Sequence, residues 1–183
     1  MRKPAILVVA WVLAAVIFIG CRRPSQPSQS TPGADSWTTY ISPDERVRFD
    51  YPSNMRVIVR PRKDERDPDL ALSATTPDES IQLTLVRRLS NDLLPNYCQL
   101  MMDSLLDENT RAVTAPRDIS LANGRGIRQE FREVGGAAPI EIIAVALEAG
   151  PAYTHLTCGY AEKSRAELRP MCERIVESLT LKR

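Results

Sequence analysis

The reactive side chains of this 183-residue chain are few: one histidine, His155, and four cysteines, Cys21, Cys98, Cys158 and Cys172. A nucleophilic triad needs a base beside its nucleophile. His155 lies in a strand-like stretch beside Leu156 and Thr157, with no Gly-x-Ser-x-Gly elbow accompanying it, so it reads as a partly exposed sheet histidine. Paired carboxylates for acid–base work are available in Glu130 with Glu133 and in Asp103 with Asp107. The first pair is interleaved with arginines and the second falls on the solvated face of a helix, so both read as surface charge. Zinc requires several His or Cys ligands at close spacing, and none cluster. The acidic residues Asp64, Glu65, Asp67 and Asp69 are a conceivable calcium site, but Arg60, Arg62, Lys63 and Arg66 offset their charge. Gly124-x-Gly126 lacks the rest of a dinucleotide fingerprint and sits in a hairpin instead of opening a helix. A redox enzyme would show a close Cys-x-x-Cys pair, which this chain does not have. No catalytic residue, metal ligand or cofactor is therefore assigned.

The chemistry that remains begins at the N-terminus. Met1-Arg2-Lys3 is a positive start, residues 5–19 form an apolar run of moderate length, and Gly20 is the small residue that precedes a secretory cleavage point. Phe18-Ile19-Gly20-Cys21 resembles the bacterial lipoprotein box, Leu-(Ala/Ser/Thr/Val/Ile)-(Gly/Ala)-Cys, with Phe18 where leucine is usual. That resemblance implies a diacylglyceryl thioether on Cys21, cleavage before it, and acylation of the new amino group, for example by palmitate. At about 0.8 kcal/mol per buried methylene, two or three acyl chains anchor a protein stably where one does so only marginally. Arg22 and Arg23 would then lie at the headgroups, each worth roughly 1 kcal/mol against an anionic leaflet. The alternatives are ordinary cleavage or an uncleaved span, but a span needs about 20 apolar residues and this run is shorter.

Removing residues 1–20 from 183 leaves 163, enough for one domain of ordinary size. The formal charge is +1, and loss of Arg2 and Lys3 leaves 22 basic residues against 23 acidic, or −1. No large field is available to recruit nucleic acid, and an aromatic content of 5% argues against a base-stacking surface. Residues 21–36 form the lipidated N-terminus and a Pro-, Ser-, Gln- and Thr-rich flexible tether, and residues 37–183 the globular domain.

Within that domain Trp37, Thr39 and Ile41 alternate, Ser42-Pro43-Asp44-Glu45 turns the chain, and Val47, Phe49 and Tyr51 alternate again, predicting a strand pair with one apolar face. Met55, Val57 and Val59 predict a third strand, and residues 60–69 a long polar loop. A second hairpin follows from Leu70, Leu72 and Ala74 with Ile81, Leu83 and Leu85. A helix opens near Pro95 and carries Cys98, Met101, Met102, Leu105 and Leu106 at spacings of three and four, through Asp107. Residues 110–113 are short extended structure. Residues 118–121 and 126–134 form a hairpin turning at Asn123-Gly124. The run 140–147 is nearly all apolar and predicts a central strand buried on both faces. Residues 153–159 make the last strand. Ser164-x-x-Glu167 is a capping box, and Met171, Cys172, Ile175, Val176 and Leu179 stripe a terminal helix that Pro170 either starts or kinks.

These elements position the cysteines. Cys158 lies on the inward side of its strand with Thr154 and Leu156, and Cys172 lies on the apolar stripe of the helix that must fold back over that strand. Their directions converge, and a bridge closing this loop of about 15 residues would contribute on the order of 3 kcal/mol. A bridge using Cys98, or three buried thiols, are the alternatives. With Cys21 on lipid, the odd thiol is Cys98.

Strands outnumber helices and most connections are hairpins, so the class is α+β around an antiparallel sheet flanked by helices. The opening Trp37-x-x-Tyr40, the strand end Val47-x-Phe49-x-Tyr51-Pro52, the strand-rich middle with one helix and the ending Ile175-Val176-x-Ser178-Leu179 resemble the Mog1/PsbP-like superfamily over about residues 37–181. The resemblance implies an α/β/α sandwich with an antiparallel sheet of about six to seven strands. Because that superfamily includes a photosystem assembly subunit, a Ran-binding protein and bacterial lipoproteins, it implies a binding or assembly role and carries over no functional residue. The expectation is a lipoprotein of the bacterial cell envelope or periplasm, held to a membrane through Cys21, that binds an envelope protein or small ligand. An envelope hydrolase without a familiar motif is the competing reading, and a contribution to surface integrity the third.

Overall fold

Residues 140–147, the longest apolar stretch beyond the N-terminal run, lie at the middle of the main sheet. A computed structural model of the protein describes residues 36–60, 68–89, 96–121, 123–136 and 138–182. The strands before the first helix are β1 (Trp37–Ile41), β2 (Val47–Pro52), β3 (Arg56–Arg60), β4 (Leu70–Thr75) and β5 (Ile81–Leu89). Helix α1 (Tyr97–Asp103) is followed by β6 (Thr110–Ala112), β7 (Arg117–Leu121), β8 (Gly124–Glu133), β9 (Ile140–Ala149) and β10 (Ala152–Ala161). A short 3₁₀ turn (Glu162–Ser164), helix α2 (Arg165–Glu177) and β11 (Thr180–Leu181) complete the chain. Cys21, the leader, the tether as far as residue 35, Pro95 and the loop residues Asp64, Glu65 and Asp67 lie outside the described residues.

Eight strands form one sheet in the order β3-β4-β5-β10-β9-β8-β6, with β7 also pairing β8, and a small sheet runs β1-β2-β11. Every pairing is antiparallel. The architecture is an α+β sandwich. The main sheet has more strands than the resemblance implied because β6 and β7 are short and both pair with the ten-residue β8.

Alternation along the central strands divides the core in two. Ile143, Val145 and Leu147 of β9 join Leu83 and Leu85 of β5 and Leu156, Cys158 and Tyr160 of β10 on one face, beneath Val47, Phe49, Cys172, Ile175 and Val176. Full burial of each such aliphatic side chain is worth roughly 1.5–3 kcal/mol, so this cluster supplies most of the apolar stabilisation. On the opposite face Ala144 and Ala146 of β9 and Phe131 of β8 meet Met102 of α1, with Cys98, Met101 and Leu105 packed alongside. The smaller residues leave a thinner second core.

Several expectations need correction. β10 is not the last strand but a central one between β5 and β9, and the two-residue β11 pairs with β2 through Thr180↔Arg48 and Leu181↔Val47. The expected third strand does form, as β3, and it pairs with β4 in the main sheet. Helix α1 stops at Asp103 rather than running through Asp107. The amides of Leu105 and Leu106 donate to the carbonyls of Met102 and Asp103, tightening the exit, and the Asp107 carboxylate accepts the amides of Asn109 and Thr110 at 2.8 and 2.7 Å, turning the chain into β6. In the β7–β8 hairpin Leu121 pairs with Gly124, so Gly124 already belongs to β8 instead of the turn, with Asn123 before it at φ 70°. Ser164 sits at the N-cap of α2, but its hydroxyl makes no capping bond. Its ψ of 22° continues the 3₁₀ turn instead of adopting the extended conformation that aims a capping side chain. Pro170 lies inside α2, one turn in.

Candidate functional site

The two faces of the main sheet present different chemistry. On the α2 face, Arg128, Glu130 and Arg132 alternate along β8 toward the helix. Arg169 grips Glu130 with two hydrogen bonds of 2.7 and 3.0 Å, and Arg128 binds Glu173 at 2.6 Å and Glu130 at 3.3 Å. Beside them the buried Tyr160 hydroxyl donates to Glu141 at 2.7 Å, and Arg165 reaches the same carboxylate at 3.0 Å. Burial and then the hydrogen bond to Glu141 push the Tyr160 phenol up to about 12. Burial alone would raise Glu130, but the Arg169 and Arg128 guanidiniums hold it below its ordinary value. Glu130 is thus not free surface charge but part of an ion-pair belt that joins α2 to the sheet. The cue in the sequence was weak: charged residues alternating along a strand opposite Arg165, Arg169 and Glu173, spaced by four, on a helix.

The same face carries a disulfide between Cys158 and Cys172, with Cα atoms 5.7 Å apart, and Cys98 is a free, half-buried thiol. The other acid pair is held by local structure: Asp103 accepts the Gln99 side-chain amide at 2.8 Å, and Asp107 forms the turn described above.

The α1 face differs in leaving room at its surface. An open cleft of about 720 Å³ lies between the start of α1 and the β7–β8 hairpin. Tyr97, Tyr153, Cys98 and Ile127 give it an apolar wall, and Arg125 and Glu148, opposite each other on β8 and β9, give it charge of both signs. A neighbouring hollow of about 580 Å³ shares Ser120, Arg125 and Glu148 with it. The Tyr97 and Tyr153 rings are 4.1 Å apart at 37°, which fixes the α1 end against β10. Gly126 is the position that brings β8 close at the cleft floor: a Cβ there would lie 1.9 Å from the Ala146 carbonyl oxygen. Burial raises the phenols of Tyr97 and Tyr153, so both stay neutral donors near pH 7. Burial and the Glu148 carboxylate also raise the Cys98 thiol, which makes it a poor nucleophile.

His155 stands on this face too, beside Tyr153 in β10, with Val86 and Ala146 opposite it. Burial lowers it to about 4, and its Nε2 has no hydrogen-bond partner among the described residues. It is neutral near pH 7, and among the described residues no hydrogen bond joins its Nε2 to a nucleophile or an orienting carboxylate. No group of three or more His, Cys, Asp or Glu side chains among the described residues is placed to hold a metal ion. No described helix is long and apolar enough to cross a membrane.

No family model matches the sequence, and neither does any curated protein. Solved structures do. The cyanobacterial PsbP protein CyanoP of Synechocystis is similar over 85% of this chain and 98% of its own, with a TM-score of 0.61 and 12% identity. LpqN of Mycobacterium tuberculosis, described as involved in cell envelope biogenesis, is similar over 81% of this chain and 91% of its own, at a TM-score of 0.52 and 15% identity. A Pseudomonas aeruginosa protein of unknown function covers 80% of this chain with 98% of its own, at a TM-score of 0.50 and 11% identity. At these identities the likeness is one of fold: the chain has a PsbP-like fold.

Proposed function

We propose that the chain is an envelope lipoprotein whose PsbP-like domain, residues 37–183, binds a partner protein or small ligand outside the cytoplasm while lipid on Cys21 and the tether at 21–36 hold it to a membrane. The leader would be residues 1–20. The observation that carries the binding role is the cleft beside α1. Its volume of about 720 Å³ lies in the range of ligand sites, roughly 300–1,000 Å³, and it combines aromatic walls with a few charged groups. A module that recognises and does not react needs shape and hydrogen bonds, and the cleft supplies these with a raised thiol and neutral phenols in place of an activated nucleophile. The link of LpqN to cell envelope biogenesis supports the compartment.

Two experiments test the reading. Cys21→Ser in the full chain should release the domain from membranes or leave the precursor uncleaved, and unchanged partitioning with normal processing overturns the tether. Tyr97→Ala combined with Arg125→Glu should lower capture of the envelope partner or ligand at least tenfold, while the melting transition stays cooperative. Equal capture by both proteins would exclude the cleft.

A further inference from the structure

At the end of the larger core, far along β5 and β10 from the disulfide, two polar side chains are buried without full partners. Arg87 and Thr154 are directly opposite in the β5–β10 pairing, on the face that the small sheet covers. Arg87 is 5% exposed and Thr154 1%. The Arg87 Nη2 donates to the Asp44 carboxylate at 2.5 Å, but its Nε and Nη1, and the Thr154 Oγ1, have no hydrogen-bond partner among the described residues. Both side chains line a cavity of about 20 Å³ whose wall includes the β9–β10 turn at Pro151 and Leu181 of β11, with Arg46 and Lys182 also lining it.

The charge around the cavity is uneven. Arg46, Arg87 and Lys182 line it and no carboxylate does. Among the described residues, Asp44, on Arg87, and Glu45, 3.6 Å from the exposed Lys182 ammonium, are the acidic groups paired with these cations, which leaves one positive charge in excess there. A cavity of roughly 10–15 Å³ is the least that holds one water-sized occupant, so this one admits a single atom of that size. Buried N–H groups of a guanidinium are costly to leave unpaired, and the groups that converge here are mainly donors. An acceptor carrying negative charge meets both needs, where a water meets only the first.

We propose that this cavity binds a small anion, either a halide or one oxygen of an oxyanion, with Arg87 and Thr154 as its inner donors and Arg46 and Lys182 supplying the surrounding field. The full chain in detergent should show a saturable rise in its melting midpoint when gluconate, too bulky to enter, is exchanged for chloride at constant ionic strength and pH. Above half-saturation the rise should be about 3–5 °C per tenfold increase in anion. Repeating the titration with phosphate separates the two sources: a larger response to chloride identifies a halide site, and a larger response to phosphate an oxyanion site. Thr154→Val, which keeps the side-chain shape, should weaken the response at least fivefold, and Arg87→Met should abolish it. Chloride NMR line broadening by the unmodified chain provides a direct measurement should Arg87→Met not fold. Equal midpoints in all three salts with no chloride broadening would mean that water alone occupies the cavity, and would overturn the proposal.

Discussion

On one face of the main sheet lie a 13-residue helix, a disulfide and a belt of arginine–glutamate pairs, while the other carries a 7-residue helix on a cluster built from Met102, Phe131, Ala144 and Ala146. Helix α2 is fixed by three kinds of interaction that fail under different conditions: apolar burial, a covalent link, and hydrogen-bonded charge. Helix α1 relies chiefly on burial and a tyrosine pair. The difference is what the proposed binding role rests on. A face that is fixed several times over serves as scaffold, and a face with small residues and an open cleft can admit another molecule without disturbing the core.

Removing the covalent link should therefore produce the largest loss. Cys158→Ala with Cys172→Ala should lower unfolding stability by about 3 kcal/mol, read from the urea midpoint, because a loop of this length is no longer closed in the unfolded chain. A loss below about 1 kcal/mol would mean that burial and the ion-pair belt already fix α2, and the bridge would cease to distinguish the two faces.

The second effect belongs to the cleft face and is set by pH. His155 has an ordinary value of 6.5 and is lowered by burial to about 4 in the fold. Between those values the unfolded chain binds the extra proton, so stability rises with pH through the window, is complete above 6.5 and is lost progressively toward 4. His155→Gln should remove a differential of roughly 2.5–3 kcal/mol between neutral pH and pH 4, measured against the unmodified chain so that the carboxylates common to both cancel. Identical pH profiles would show that water reaches the imidazole and that this face is looser than its packing indicates.

Most of what the sequence made legible is local. The apolar run 140–147 marks a strand buried on both faces, and the alternation through Val47 and Phe49 marks the small sheet, because periodicity is written in consecutive residues. β11 escaped because two residues, Thr180 and Leu181, are too few to carry a period. The extent of α1 was overestimated because Leu105 and Leu106 fit the helical stripe, while the Asp107 carboxylate captures backbone amides and ends it. The cleft, the Arg169–Glu130 contact and the Arg87–Thr154 cavity join residues far apart in the chain, and no spacing rule announces them. The positions of Cys158 and Cys172 lie between these cases. Each side chain's direction was readable in its own element, but their approach depends on how α2 folds over β10.

The smallest predicted effect tests the contrast most finely, because it compares one cysteine with two others in the same molecule. Cys98 is half-buried at the cleft wall, and burial together with Glu148 raises its thiol. Cys98→Ser keeps a similar volume in a thin cluster, so it should cost less than about 1 kcal/mol, well under the loss at the bridge. The thiol should also react with iodoacetamide far more slowly than a free cysteine at pH 7, since little of it is thiolate, and more slowly still when the cleft is occupied. A cost approaching that of the bridge would mean that the α1 face is as tightly determined as the α2 face, and the cleft would then have to be read as a packing feature instead of a place for a ligand.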